Sequence, residues 1–106
     1  MTQRFHTWCG ASGTHYIHTV HSLIECPELT GATYLLVRRT GNGRRRVLAV
    51  GRTKDAAPSL NLAEIRYRGA WLGVNEVHVY ALAESDYARR LVEADIGNRW
   101  IKDLKR

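Results

Sequence analysis

Arginine stands out in this chain by both type and spacing. Thirteen arginines and three lysines face ten acidic residues, giving a formal charge of +6 and a sequence pI near 9.8. Five of the thirteen, Arg38, Arg39, Arg44, Arg45 and Arg46, fall within nine positions that contain no acid. Guanidinium groups make bidentate contacts with phosphate, and like charges gathered on one protrusion repel each other unless an anion neutralises them. Arg52 with Lys54, Arg66 with Arg68, and Arg89 with Arg90 form smaller groups. The expected partner is therefore nucleic acid, DNA rather than RNA. A second set, His6, Cys9, His15, His18 and His21, has metal-ligating side chains at unsuitable spacing. Side chains alternate along a strand, so His15 and His18 would point to opposite faces, and closed zinc sites carry tighter pairs such as Cys-x2-Cys. Cys9 and Cys26 read as reduced thiols buried like small hydrophobes.

The elements that must position these groups follow from pattern. Thr14 to Val20 is β-branched and aromatic and follows the turn-prone Gly10-Ala11-Ser12-Gly13, which predicts a strand. Thr33–Val37 and Arg46–Val50 are apolar runs separated by Thr40-Gly41-Asn42-Gly43. Glycine and asparagine tolerate the positive φ of tight loops, so an antiparallel hairpin is expected, with both strands covered on both faces. Asn61 and Glu64 have the form of a capping box, predicting a helix from Asn61 to about Trp71 with Gly73 as its stop. Glu76–Leu82 reads as a strand. Ser85 caps a second helix over Asp86 to about Ile96, with Ala88, Leu91, Val92 and Ile96 on one face and Gly97-Asn98 ending it. The basic stretch 99–106 is a tail. These elements predict an α+β fold in one domain, residues 1–106: a three- to four-stranded, mainly antiparallel sheet flanked by two or three helices. No apolar run reaches the roughly 18 residues of a membrane span, and the N-terminus has no apolar signal core. A cytoplasmic protein without a membrane partner is expected.

At the hairpin the pattern becomes specific. Ala32-Thr33-Tyr34, followed by Ala49-Val50-Gly51-Arg52-Thr53-Lys54-Asp55, resembles the paired signature of GIY-YIG nucleases. The lead-in Trp8 to Tyr16 is similar to the N-terminal strand of small bacterial members. Val74–Val79 and Ala88–Ile96 are similar to the family's later strand and its glutamate-bearing helix. The resemblance spans residues 8–97. It implies metal-dependent phosphodiester hydrolysis, with two hairpin tyrosines assisting proton transfer, a helix arginine supporting the scissile phosphate and a helix glutamate holding one divalent cation. Residue by residue, Tyr34, Gly51 and Glu93 match the family's pattern. Ala32 replaces a glycine, Ala49 stands where the second tyrosine belongs, and Ser59 stands where the arginine belongs. Arg66 or Arg68, further along the same helix, are the candidate replacements, and Arg66 is placed in the catalytic set with Tyr34 and Gly51. Glu93 would hold Mg²⁺ or Mn²⁺, a hard cation content with one oxygen ligand and several waters. Its other reading is a salt bridge to Arg89 at i−4.

The expected function is nucleic-acid binding by a GIY-YIG-like domain with weakened or lost nuclease activity, because loss of cooperating groups costs orders of magnitude in rate. Arg38, Arg39, Arg44, Arg45, Arg46, Arg52 and Lys54 are the expected contacts. One alternative is an active Mg²⁺-dependent endonuclease using Tyr34 and Glu93. The other is a protein-interaction module anchored by Trp71 and Trp100.

Overall fold

The computed structural model describes residues 4–101. Five strands and two helices follow one another as β1 (Arg4–Cys9), β2 (His15–Ser22), β3 (Thr33–Arg39), β4 (Arg45–Arg52), α1 (Pro58–Leu72), β5 (Glu76–Tyr80) and α2 (Asp86–Trp100). The strands form one sheet in the order β1-β2-β5-β3-β4, and every neighbouring pair is antiparallel. The α+β class is as expected, with five strands rather than three or four. The additional strand is β1. Its six residues pair with β2 from Arg4↔Val20 to Cys9↔His15, across a turn closed by Gly10 N–H donating to Thr14 O and Gly13 at φ 92°. Phe5, Thr7 and Trp8 are good strand formers standing before that turn, and this was the available signal.

β5 lies between β2 and β3, so the chain leaves edge strand β4, crosses through α1 and returns to the middle of the sheet. The crossover divides the core into two layers. Beneath α1, Ile65 packs on Tyr34, Leu36, Ala49, Val77 and Val79. On the opposite face, α2 sets Val92 and Ile96 on Trp8, Tyr16, Leu35, Val37 and Val47. Residues 33–37 are therefore buried on both faces, as their unbroken apolar run predicts, whereas β4 alternates.

Helix boundaries depart from the local signals for tertiary reasons. α1 begins one turn early, with Ala57 as its cap and Pro58 at the first helical position, where a missing N–H and a fixed φ cost nothing. Asn61 is inside the helix and buried. Its Nδ2 group faces Leu29 O, Lys54 O and Ala56 O at 2.9–3.2 Å, tying two loops together instead of capping. Ser85 does cap α2, accepting from Ala88 N–H at 3.0 Å. That helix runs on through Gly97 and Asn98 to Trp100, whose ring meets Trp8 edge-on at 5.0 Å and whose Nε1 donates to Cys9 O. Leu91 is exposed, and Arg89 is buried in its place. β5 stops at Tyr80, two residues short of expectation. Of the basic tail, residues 102–106 lie outside the described residues. Both cysteines are free, and burial pushes the Cys26 thiol up to about 11. Among the described residues no helix is long and apolar enough to cross a membrane.

Candidate nucleic-acid interface

The β3–β4 turn is closed by Thr40 N–H donating to Arg44 O and Gly43 N–H donating to Thr40 O, with Gly43 at φ 85°. Pairing Arg38↔Arg46 and Arg39↔Arg45 across this turn splits the arginine group, because successive side chains on a strand face opposite ways. Arg39 and Arg45 turn to the α2 face, where Arg45 Nε donates to Glu76 at 2.8 Å and Arg39 lies 3.8 Å from the same carboxylate. Arg38 and Arg46 take the α1 face, and Arg38 Nη1 donates to Gly73 O at the end of α1. Arg44 is exposed at the turn. Around the tip lies a concavity of about 830 Å³ lined by Arg38, Arg44, Arg45, Arg46 and turn residues, with no carboxylate in its wall. Among the described residues, Arg38, Arg44 and Arg46 have no acidic partner.

A second concavity, about 590 Å³, follows the open edge of β4 between the two helices. Leu48 and Val50 form its floor, with Arg52, Arg68, Arg90 and Glu93 on its walls. It brings together part of the set that the nuclease resemblance implies. Tyr34 lies opposite Gly51 in the strand register. A Cβ on Gly51 would stand 2.6 Å from the Tyr34 hydroxyl and 2.9 Å from Arg68 Nη1, so the glycine makes room for that ring. Arg68 Nη1 donates to the Tyr34 hydroxyl at 2.8 Å. Arg66 is not part of this cluster. Its guanidinium turns to the loop after β2, donating to Ile24 O at 2.8 Å and to Cys26 O, and Arg68 takes the place expected for it. Ala49 packs in the core under α1, and Ser59 donates to Glu28 in the first turn of that helix. We expect Gly51→Ala to cost about 1–3 kcal/mol by overpacking and to break the Arg68–Tyr34 bond. Urea denaturation checks the first effect, and the near-ultraviolet tyrosine signal checks the second.

Tyr34 is only 2% exposed. Burial raises its phenol above the ordinary range, with Arg68 opposing the shift. Glu93 does not pair with Arg89; its Oε1 accepts from Arg52 Nη1 at 2.6 Å, and Arg52 Nε also reaches Asp86. Arg89 instead bonds Asp55, Gly31 O and Ala83 O. Glu93, the residue expected to hold Mg²⁺ or Mn²⁺, thus meets any cation with one carboxylate oxygen already taken by a guanidinium. Among the described residues no group of three or more His, Cys, Asp or Glu side chains is placed to hold a metal. Lys54 is exposed, and its carbonyl serves the loops.

The histidines separate as strand alternation predicts. His6 and His18 face each other across β1 and β2 on the α2 side, while His15 is exposed on the other face. Sequence reasoning had not singled out His78, which is wholly buried beside them. Its position between Val77 and Val79 in a strand was the available signal.

Fold and site together define a small α+β protein with helices on both sheet faces, a basic hairpin tip and an arginine-walled groove. Set against protein-family models, curated proteins and solved structures, the chain has no significant match in any of the three.

Proposed function

We propose that this domain binds nucleic acid through its phosphates, and that it is a GIY-YIG-like domain in which hydrolysis is weakened or lost. The observation that carries the reading is the hairpin tip, where Arg38, Arg44 and Arg46 border a concavity without a carboxylate. Three uncompensated guanidinium groups on one turn repel each other until an anion is bound, and a polyphosphate backbone supplies anions at the required density. The groove along β4 adds Arg68, beside Arg52 and Arg90, which are paired with Glu93 and Asp86. DNA is the favoured partner.

Fluorescence anisotropy with a labelled DNA oligonucleotide at increasing salt tests this. Each phosphate contact contributes about 0.7–0.9 to the slope of log K against log salt. The Arg38→Ser, Arg44→Ser, Arg46→Ser triple variant is expected to lose roughly two to three units of that slope. A flat salt dependence in the unsubstituted protein would sink the reading. Incubation of the unsubstituted protein and Glu93→Ala with plasmid and Mg²⁺ or Mn²⁺ is expected to leave the plasmid intact in both. Cleavage that Glu93→Ala abolishes would establish the active endonuclease instead.

A further inference from the structure

The outer face of α1 carries a row of large side chains that the core does not use. Leu60, Tyr67 and Trp71 are 71%, 73% and 81% exposed. They stand seven and four residues apart, spacings that place side chains on one stripe of a helix. The opposite face, with Asn61, Ile65 and Gly69, is the buried one. Two exposed aromatic rings one turn apart place apolar faces side by side in solvent, where contiguous apolar surface marks contact sites, and they are not needed to hold the sheet.

The charge around this stripe indicates what covers it. Arg68, next in sequence to Tyr67, projects from the flank of α1 into the groove along β4. At the other end, Arg38 Nη1 reaches Gly73 O, two residues beyond Trp71, and Arg46 is its cross-strand partner on the same sheet face. The rings are therefore bordered by arginines on the groove side and at the hairpin tip. Glu64 is the one acid among the stripe positions 60, 64, 67 and 71. Planar apolar rings bordered by guanidinium groups complement a polyanion that also presents planar apolar rings.

We infer that the outer face of α1 is a stacking platform for unpaired bases, on which Tyr67 and Trp71 hold a single-stranded nucleic acid whose phosphates lie on the flanking arginines. This rests on the proposed nucleic-acid binding and narrows its substrate to single strands or to duplexes with unpaired ends. A duplex buries its base faces and leaves the two rings nothing to stack on. Base–aromatic stacking is tolerant of sequence and contributes about 1–3 kcal/mol per base. That converts to roughly 5- to 150-fold in affinity per ring.

Tryptophan fluorescence supplies the test, because Trp71 is the exposed indole, whereas Trp8 is buried and Trp100 packs against it. Titration with an oligothymidylate should quench the Trp71 signal, and titration with heparin, a polyanion without bases, should not. In anisotropy, Trp71→Ala and Tyr67→Ala should each weaken oligothymidylate binding roughly 5- to 150-fold. Trp71→Phe should retain most of the affinity. Heparin binding should be the same in all variants, and unchanged thermal melts check that they are folded. Unchanged oligothymidylate affinity in Trp71→Ala overturns the platform. If the hairpin arginine variant still lowers binding in that case, the wider nucleic-acid reading survives. Absence of binding to any nucleic acid defeats both. Preference for a blunt duplex over the single strand, or a dimer that Trp71→Ala dissociates, also overturns the platform.

Discussion

Arg89→Ala is expected to lose about 3–5 kcal/mol of folding stability, the cost of a cavity under α2 and of loop carbonyls left without their donor. Arg89 projects from the first turn of α2 yet is only 4% exposed. Its guanidinium donates to Gly31 O at 3.3 Å, Ala83 O at 3.0 Å and Asp55 at 2.6 Å. It thus joins the loop before β3, the loop before α2 and the segment after β4. Truncation leaves those carbonyls without their donor and opens a cavity beneath α2. Against a typical total of about 5–15 kcal/mol, and at roughly 4–8 °C per kcal/mol for a domain of this size, the melting temperature should fall by about 12–40 °C. Asp55→Asn should cost far less, because that carboxylate is mostly solvated and an exposed partner contributes about 1 kcal/mol or less. Thermal melts of both variants beside the unsubstituted protein decide the matter. Equal, small losses in the two would mean that Arg89 is merely a surface cation.

Acid should unfold the protein through two histidines. His18 and His78 are wholly buried on the α2 face, and burial pushes the pKa of each down to about 4. The hydrogen bonds give the local reason. Trp8 Nε1, which can only donate, bonds His78 Nδ1, so the His78 proton sits on Nε2 and is given to Glu76 Oε1. A second proton at Nδ1 would confront the indole N–H. His18 donates from Nδ1 to Tyr16 O, and its Nε2 is buried without a partner among the described residues. A proton there would have no acceptor. The unfolded chain takes up these protons near pH 6.5, while the folded state resists them until about pH 4. The stabilising contribution is therefore complete above about 6.5 and is lost as pH falls toward 4, at roughly 3 kcal/mol per histidine. Glu76 adds to the loss at lower pH. Burial pushes its carboxyl up, but hydrogen bonds from Arg45 and His78 outweigh that and hold it below the usual carboxylate range. The urea midpoint should drop steeply between pH 6.5 and 4.5, and His18→Leu should remove about half of the drop. A midpoint unchanged from pH 7 to pH 5 would refute the account.

Much of the local structure was legible in the chain. Thr40 to Gly43 closes the expected hairpin because a tight turn depends on a few adjacent residues, and only Gly43 takes the positive φ. Ser85 caps α2 because its hydroxyl needs only the N–H three residues on. The pairing of Tyr34 with Gly51 could be anticipated from the two motifs, since hairpin register follows from turn length. Less legible was β1, whose strand-forming residues gain significance only through pairing with β2. The Asn61 signal had the right residue types, yet the buried amide was worth more to three loop carbonyls than to a helix cap.

The side-chain partners belong to the tertiary structure. Composition and spacing by themselves determined an α+β chain, a basic hairpin and the order of its motifs, because turn chemistry and hydrophobic period act over a few residues. Whether an arginine is free or paired depends on strands and helices brought together from far apart in the chain. Alternation across β3 and β4 sent Arg39 and Arg45 to Glu76 and left Arg38 and Arg46 on the other face. Packing of α2 along β4 gave Arg52 to Glu93. The helical turn put Arg68, and not Arg66, against Tyr34, because an α-helix advances ~100° per residue and two positions separate one face from another.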